Sequence, residues 1–425
     1  MASRTAHAAA PPALALDHVE EASRAAGEDA ALLALRNQAR VLLSPLDLPD
    51  RARHLWRYTD PSRFLPESDP TALAPTDVGP PWRLDEPLSV AALLAGGALR
   101  VVEVDPKARK AGVTVEDLHR ATVGGHLGSI VPPSHGFLEA INTAAWRGGV
   151  LVRVPDGVEL QHPIRLRLVA GIPTIPRVVV LAGRGSSFEI IEGHVGGERG
   201  AGKVIGVTEI VVGEGASVRY GLVQRWETGV VGHLTARARV HSGARFQMSL
   251  ASFGGTVFKA DVGAILAGEG AEVETCGVAM GGDSQHFDHH TEHVHESGKT
   301  HSNLDFKVAL TGSARSAYTG MIRIAPGAAG AEAYQENRNL LLSENARAES
   351  IPELEILTDD VRCSHGATVS PVDPEQLFYL KSRGLPHLQA MRVIVYGFLD
   401  QTLARLPQTT RDRIAALVAA RLHSD

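Results

Sequence analysis

Apolar and polar residues alternate in short runs from residue 150 to about 360 of this chain. Clear examples are 150–154, 164–169 and 209–212, and Gly, Ser and Asp bound the runs. Alternation with a period of two is typical of β-strands that bury one face. No segment of helical length separates the runs, so this part of the chain is predicted to be all-β.

Glycines recur through the same region at an almost constant spacing of 27 to 30 residues: Gly157, Gly185, Gly215, Gly243, Gly270, Gly298 and Gly327. A fixed period of this length indicates stacked units that bury their apolar faces against one another. Small residues follow four of these glycines, at Ser186, Ala216, Ala244 and Ala271. Small side chains suit turns stacked directly above one another, which favours a β-solenoid over a sandwich or a propeller.

Both ends of the chain carry helical patterns. Apolar residues recur at helical spacing within 17–65, and a linker with five prolines follows at 66–81. At the other end, a helix is predicted to begin at the capping residue Asp373 and to end at Gly384, and two more helices follow. Between these parts, we predict a strand at 100–104 and helices at 114–120 and 137–146. The predicted domains are 1–88 (helical region and linker), 89–368 (β-helix core) and 369–425 (C-terminal helical domain).

Composition excludes several classes of protein. The 425 residues carry a net charge of −6, which gives no reason to expect nucleic acid or an anionic membrane as a partner. No apolar run approaches the roughly 18 residues of a membrane span. The chain has two cysteines, so a disulfide framework is excluded and a cytoplasmic location is expected. A Walker motif is absent from the sequence, so the chain is not expected to hydrolyse nucleotides.

A Cys-x-His pair lies where the β-region meets the C-terminal helices. In an extended segment, Cys363 and His365 face the same side and can approach one thiophilic metal ion. A buried thiol beside a hydrogen-bonded histidine would give the same spacing, so the spacing alone leaves both interpretations open. No second base or oxyanion arrangement marks Cys363 as a nucleophile.

A histidine-rich stretch between 286 and 301 is a second candidate site. In a strand, His289, His293 and His295 would share one face, where imidazoles can bind zinc, copper or iron. His289 and His293 are therefore candidate metal ligands, and a metal-dependent enzyme on an all-β scaffold is the alternative function. Ordinary histidines on a solvated strand face and in turns explain the same residues, and no His-Glu-x-x-His spacing is present.

Motifs along most of the chain carry a family resemblance. In the C-terminal third they are Tyr334-Gln-Glu-Asn-Arg-Asn-Leu-Leu-Leu-Ser343, Ile351-Pro-Glu-Leu-Glu-Ile356, Cys363-Ser-His-Gly-Ala-Thr368 and Leu377-Phe-Tyr-Leu-Lys-Ser-Arg-Gly384. Upstream they are Trp56-Arg-Tyr-Thr-Asp60, Phe137-Leu-Glu-Ala-Ile-Asn-Thr-Ala144 and Val154-Pro-Asp-Gly-Val158. The chain resembles the SufB/SufD family of iron–sulfur cluster assembly proteins. It looks most like SufD, because SufB typically has acidic residues around the junction histidine, as in Cys-Glu-His-Glu-Ala.

The resemblance implies a right-handed parallel β-helix between helical terminal domains. It also implies a non-catalytic scaffold that pairs with a SufB-like paralogue, while a SufC-like ATPase docks on the C-terminal helices. His365, with Cys363 beside it, would contribute to a transient iron–sulfur cluster at the partner interface, and the isolated chain would hold no cluster tightly. A homodimer is an expectation for the chain alone. The stretch at 286–301 holds more histidines than the family pattern, which leaves their role open.

Overall fold

The computed structural model describes residues 16–43, 48–49, 54–67, 87–170, 174–196, 202–406 and 408–424. The chain forms a parallel β-solenoid of about seven turns, with 46% of its residues in strands and 22% in helices. The mainly β solenoid with helices at both ends is therefore confirmed. From position 68 onward, the proline-rich stretch predicted as a linker lies outside the described residues.

Each coil of the solenoid contributes one strand to each of two sheets. The first sheet contains β1 (Val90–Ala95), β2 (Ala98–Val104), β5 (Ile164–Ala170), β7 (Ser187–Gly196), β9 (Ser217–Trp226), β11 (Arg245–Ser252), β13 (Glu272–Gly281), β15 (His301–Leu310), β17 (Ala331–Leu341) and β19 (Val361–Pro371). The second contains β3 (Thr114–Asp117), β4 (Gly149–Val154), β6 (Arg177–Ala182), β8 (Gly202–Val212), β10 (Val230–Val240), β12 (Val257–Leu266), β14 (His286–His295), β16 (Arg315–Ile324) and β18 (Arg347–Ile356). Inward-facing apolar side chains from both sheets form the main core.

The helix predicted at 114–120 is wrong, because this segment begins with strand β3. β3 pairs antiparallel with β4, with Thr114 opposite Arg153 and Val115 opposite Val152. Both Thr114 and Val115 are β-branched residues that suit a strand, and the free edge of β4 offers hydrogen-bond partners there. The short polar sequence alone did not reveal that edge.

Helices cover the outer faces of the two sheets. On the second sheet lie α1 (Val19–Ala26), α2 (Ala30–Leu43) and α4 (Phe137–Ala145), with a 3₁₀ turn at Pro61–Phe64. A short helix α3 (Pro106–Lys110) follows β2, and α5 (Pro374–Ser382) follows β19. On the first sheet lie α6 (His387–Leu403) and α7 (Gln408–Ser424), which bury Val395, Leu399 and Ile414 against strand residues such as Val278. None of the helices in the described ranges is long and apolar enough to cross a membrane.

A buried ion pair anchors the loop before α4. Arg177 Nη2 lies 2.5 Å from Glu209 Oε1, and both side chains are fully buried. The Glu209 carboxylate also accepts hydrogen bonds from the backbone N–H groups of Gly128, Ile130 and Val131. These bonds compensate the carboxylate for burial and hold the loop against the second sheet.

The repeated glycines form stacked turns along the solenoid. Five of them have left-handed backbone with φ between 62° and 71°: Gly157, Gly185, Gly215, Gly243 and Gly270. The N–H of Gly215 donates to the Ser242 carbonyl in the next coil over 3.0 Å, and Gly243 donates to Glu269 in the same way. Ala244, which follows Gly243, is fully buried, so the packing of the stack requires a small residue there.

Replacing Gly243 with alanine is expected to lower the free energy of unfolding by about 1 kcal/mol. An added Cβ would meet no atom within 4 Å, so the cost comes from the left-handed backbone and not from a clash. Urea denaturation measures the change. Gly397→Ala is the matched control, because Gly397 lies within α6 with equally open space, and alanine should stabilise a helix. Equal effects of the two substitutions would contradict this explanation of the glycine repeat.

Candidate functional site

The Cys-x-His pair lies on the last strand of the solenoid. Cys363 and His365 belong to β19, the edge strand of the first sheet, and their partners in β17 are the buried residues Ala333 and Gln335. Cys363 packs against side chains of both sheets, including Leu354 of β18. The pair therefore faces the interior of the solenoid at its C-terminal end.

The thiol and the imidazole of this pair differ in exposure. Cys363 is half-buried, and burial raises the pKa of its thiol despite a hydrogen bond from the Ala333 backbone. His365 is exposed, because no further coil covers it. A raised pKa disfavours the nucleophilic thiolate, so the surroundings do not activate Cys363 for covalent catalysis. A thiolate and an imidazole are instead suitable ligands for iron or an iron–sulfur cluster.

Apolar side chains lie open to solvent around this pair. Ile356 of β18 and Val369 of β19 are 41% and 44% exposed. Their partners one coil earlier, Ile324 and Asn339, are buried beneath them. The last coil thus presents core positions that another layer of protein would bury. β18 and β19 also end their sheets within the described chain, so both offer backbone groups for strand pairing. We name this surface, formed by β18 and β19, the open end.

The second cysteine, Cys276, is buried and does not belong to the open end. Cys276 is buried on the outer face of the first sheet, in the cluster that contains Val395 and Leu399 of α6. Burial raises the pKa of its thiol, and the charges of Glu274 and Asp305 raise it further. A thiol of this kind is an inert part of a core. The chain therefore has one cysteine that a metal or a partner can reach.

The histidine-rich stretch forms β14 and places its imidazoles on both faces. His289 and His293 point inward and are fully buried. Their Nε2 atoms each lie 2.9 Å from a hydroxyl across the interior, Ser252 Oγ and Thr275 Oγ1 respectively. Residues four apart in a strand are separated by about 13 Å, so these two imidazoles cannot share one ion. The structure does not bring together the two histidines considered as a metal pair.

Burial also keeps the inward imidazoles neutral. It lowers the pKa of His293 to about 3, with smaller effects from the charges of His295 and Arg237. It lowers the pKa of His295 to about 4, and both ring nitrogens of His295 are hydrogen-bonded to hydroxyls of Thr300 and Ser302. Among the described residues, both ring nitrogens of His295 thus have hydroxyl partners, whereas His293 has one hydroxyl partner, on Nε2.

Acid is expected to destabilise the fold below pH 6.5 through these histidines. The unfolded chain binds protons near pH 6.5, whereas His293 and His295 stay neutral in the folded state down to about pH 3 and 4. The unfolded state thus holds more protons in this window, and each histidine removes up to about 1.4 kcal/mol of stability per pH unit. Urea denaturation at several pH values between 7 and 5 measures the loss. His295→Gln should flatten the profile, and an unchanged slope would contradict the assignment.

A polar cluster that sequence reasoning missed lies on the outer face of the second sheet. His135 precedes α4, Glu139 lies in its first turn, and Asp261 comes from β12. In the part of the chain that the structure describes, these are the one group of three metal-binding donors within 4.8 Å of one another. The available signal was the four-residue spacing of His135 and Glu139 at a predicted helix start, but Asp261 is remote in sequence.

Neighbouring groups keep both carboxylates of this cluster ionised. Against the effect of burial, the charges of Arg237 and His290 hold the pKa of Asp261 well below its usual range. Burial likewise opposes ionisation of Glu139, yet the hydrogen bond and the charge of His233 lower its pKa to about 2.

Comparison with known proteins identifies the family of the chain. Residues 169–398, more than half of the chain, match the family model described as "SUF system FeS cluster assembly, SufBD core domain". The chain belongs to the SufBD family. The matched region includes both Cys363 and His365 and most of the solenoid.

Curated relatives of the chain are similar at moderate identity. An iron–sulfur cluster assembly SufBD family protein of Staphylococcus epidermidis is 29% identical over 286 residues, which are 66% of this chain and 62% of the relative. The iron–sulfur cluster assembly protein SufB of Bacillus subtilis is 29% identical over 296 residues, which are 69% of this chain and 63% of the relative. The chain thus spans less than two thirds of the length of these relatives.

Proposed function

We propose that this chain is a SufD-like, non-catalytic scaffold subunit of an iron–sulfur cluster assembly complex, active in the cytoplasm. The observation that carries the proposal is the open end, where Cys363 and His365 lie among exposed core positions of a SufBD-family solenoid. The nascent cluster is the cargo of this site, and the isolated chain is expected not to hold it tightly.

The ligand count calls for a second chain. Cys363 and His365 supply two ligands, whereas iron–sulfur clusters are commonly held by four. Cys276 cannot supply a further thiolate, because it is buried beneath α6 on the other side of the first sheet. The remaining ligands would come from a SufB-like paralogue that meets the open end.

The open end suits pairing with a second solenoid. A partner strand can continue either sheet through the free edges of β18 and β19, while apolar residues such as Ile356 become buried. A homodimer would use the same surface when the paralogue is absent. Cys363 and His365 would then lie inside the interface, where water and oxidants have little access.

The C-terminal helices are proposed to dock a SufC-like ATPase. α5 buries none of its residues, and its Phe378 and Tyr379 are 74% and 57% exposed. Leu388 and Val393, on the next helix α6, are each 48% exposed. Aromatic anchors of this kind are typical of binding hot spots. α5 begins three residues after β19 ends, so a movement of α5 on ATPase binding would pull on the strand that carries His365.

Replacing Val369 with lysine is expected to prevent pairing through the open end. Val369 is 44% exposed on β19, so the substitution should leave the fold intact while placing a charge in the apolar interface. Light scattering after size exclusion, with the SufB-like paralogue of the same cell, measures the complex. Val101→Lys is the matched control, since Val101 is 40% exposed on β2 at the opposite edge of the same sheet. Undiminished pairing of the Val369 variant would place the interface elsewhere.

A further inference from the structure

A group of donors arranged for metal binding lies outside the open end, on the face of the second sheet beneath α4. His135 Nε2 is 3.0 Å from Asp261 Oδ2, and Glu139 contributes the third donor within 4.8 Å of both. Two donors bound at about 2.1 Å to one ion lie roughly 3.0 to 3.5 Å apart, so small side-chain adjustments would complete a site. We propose that His135, Glu139 and Asp261 bind a divalent first-row transition-metal ion.

Backbone contacts around the group help to bring the side chains of His135 and Glu139 together. The loop that carries His135 is held by the buried Arg177–Glu209 pair, and the N–H of His135 donates to the Pro132 carbonyl over 2.9 Å. Gly136 caps α4 in extended conformation, and a Cβ at this position would collide with Glu139 Oε2. The glutamate carboxylate thus folds back toward the helix start, beside His135.

Hydrogen bonds from outside the group orient both carboxylates. Glu139 Oε1 accepts from Thr235 Oγ1 over 2.5 Å and lies 2.8 Å from His233 Nε2. Asp261 Oδ1 accepts from Arg237 Nη2 over 2.5 Å and lies 2.7 Å from a histidine ring nitrogen, that of His290. In both carboxylates, one oxygen is held in this way, and the second oxygen of Asp261 faces His135 Nε2. Partners of this kind orient ligands and tune affinity in metal sites.

The charge balance of the group also suits a divalent cation. The Arg237 guanidinium forms ion pairs with the carboxylates of Asp261 and Glu292. The donor group itself contains two carboxylates, whose negative charge favours a divalent cation. The His135 side chain is 26% exposed, so the ion can enter from solvent and keep water at its remaining positions.

The donor types determine the class of ion. An imidazole with two carboxylates suits Zn²⁺, Fe²⁺ or Mn²⁺, and the absence of thiolates from the group distinguishes it from a cluster ligand set. Cys363 and His365 belong to a different strand at the open end and are not ligands of this ion. The inference is therefore independent of the proposed scaffold function.

Titration of the metal-free full-length chain tests the inference. After treatment with EDTA and buffer exchange, Zn²⁺ binding is measured by calorimetry, and Co²⁺ binding by its visible absorption bands. Wild type should bind one equivalent tightly, and His135→Gln should weaken binding roughly tenfold or more and change the Co²⁺ bands. His135 is partly exposed, so this variant should keep the melting temperature of wild type.

Matched variants separate this site from the other histidines. His126 lies on the same loop, outside the group, so His126→Gln should bind within about twofold of wild type. The double variant Cys363→Ser, His365→Ala should also bind normally. Equal affinity of the His135 and His126 variants would overturn the inference, as would loss of binding in the double variant alone. Failure of wild type to bind either ion below about 1 mM would overturn it as well.

Discussion

Replacing His365 with alanine will abolish iron–sulfur cluster assembly in cells while leaving the protein folded. His365 is exposed on the last coil, so the substitution removes no buried contact and should change the free energy of unfolding by less than about 0.5 kcal/mol. The loss of function is expected because, under the proposal, the chain supplies two cluster ligands at the open end, and the variant would keep only the Cys363 thiol. Activity of cluster-dependent enzymes in a strain that lives on the variant measures the effect.

The neighbouring residue provides the matched control. Ser364 is also exposed on β19, but its side chain faces away from the solenoid interior, so Ser364→Ala should support normal activity. Cys363→Ala should resemble the His365 variant, with a larger loss of stability because Cys363 is half-buried. Normal enzyme activity in the His365→Ala strain, with correct protein levels, would remove His365 from the site.

Replacing Phe378 with aspartate is expected to weaken binding of the SufC-like ATPase strongly. Phe378 is 74% exposed on α5, and loss of an aromatic anchor at a hot spot costs about 2 to 4 kcal/mol, or roughly a 30- to 1000-fold loss of affinity. A new charge in an apolar contact adds to that cost. Surface plasmon resonance with the immobilised ATPase measures the dissociation constant, and the melting temperature reports folding.

Val41→Asp is the control for this prediction. Val41 is 67% exposed on α2, which lies on the other sheet, so a charge there should leave ATPase binding unchanged. A point substitution is sharper than removal of the whole C-terminal segment, because α6 and α7 share a core with the first sheet. Deleting residues 371–425 would expose the apolar outer face of the first sheet. Such a deletion is expected to destabilise the solenoid as well as to remove the docking surface. Wild-type affinity of the Phe378 variant would place the docking site elsewhere.

Local features of the fold could be predicted because their causes are local. The glycine period was informative since Gly215 and Gly243 need left-handed backbone and stack on each other. The helix start at Asp373 and the helix end at Gly384 also follow from local chemistry: the Asp373 side chain accepts from the Glu375 N–H over 2.8 Å, and Gly384 has a φ of 93°.

Features that depend on distant contacts could not be predicted in the same way. The terminal helices lie along the sheet faces, which depends on apolar residues such as Val278 pointing outward beneath α6. His289 was a candidate metal ligand on a strand face, but the side chain is buried, and its Nε2 lies within hydrogen-bond distance of the Ser252 hydroxyl across the interior. His135 and Asp261 are 126 positions apart, so the spacing of residues along the sequence could not predict their contact.

Anaerobic co-purification with the SufB-like and SufC-like proteins of the same cell tests whether the open end of this chain holds the nascent cluster. Iron and acid-labile sulfide are measured in the complex that contains wild-type chain and in the complex that contains His365→Ala. We expect equal assembly of the three proteins, with stoichiometric iron and sulfide in the wild-type complex and loss of both in the variant. Equal iron and sulfide in the two complexes would show that the open end of this chain does not hold the cluster.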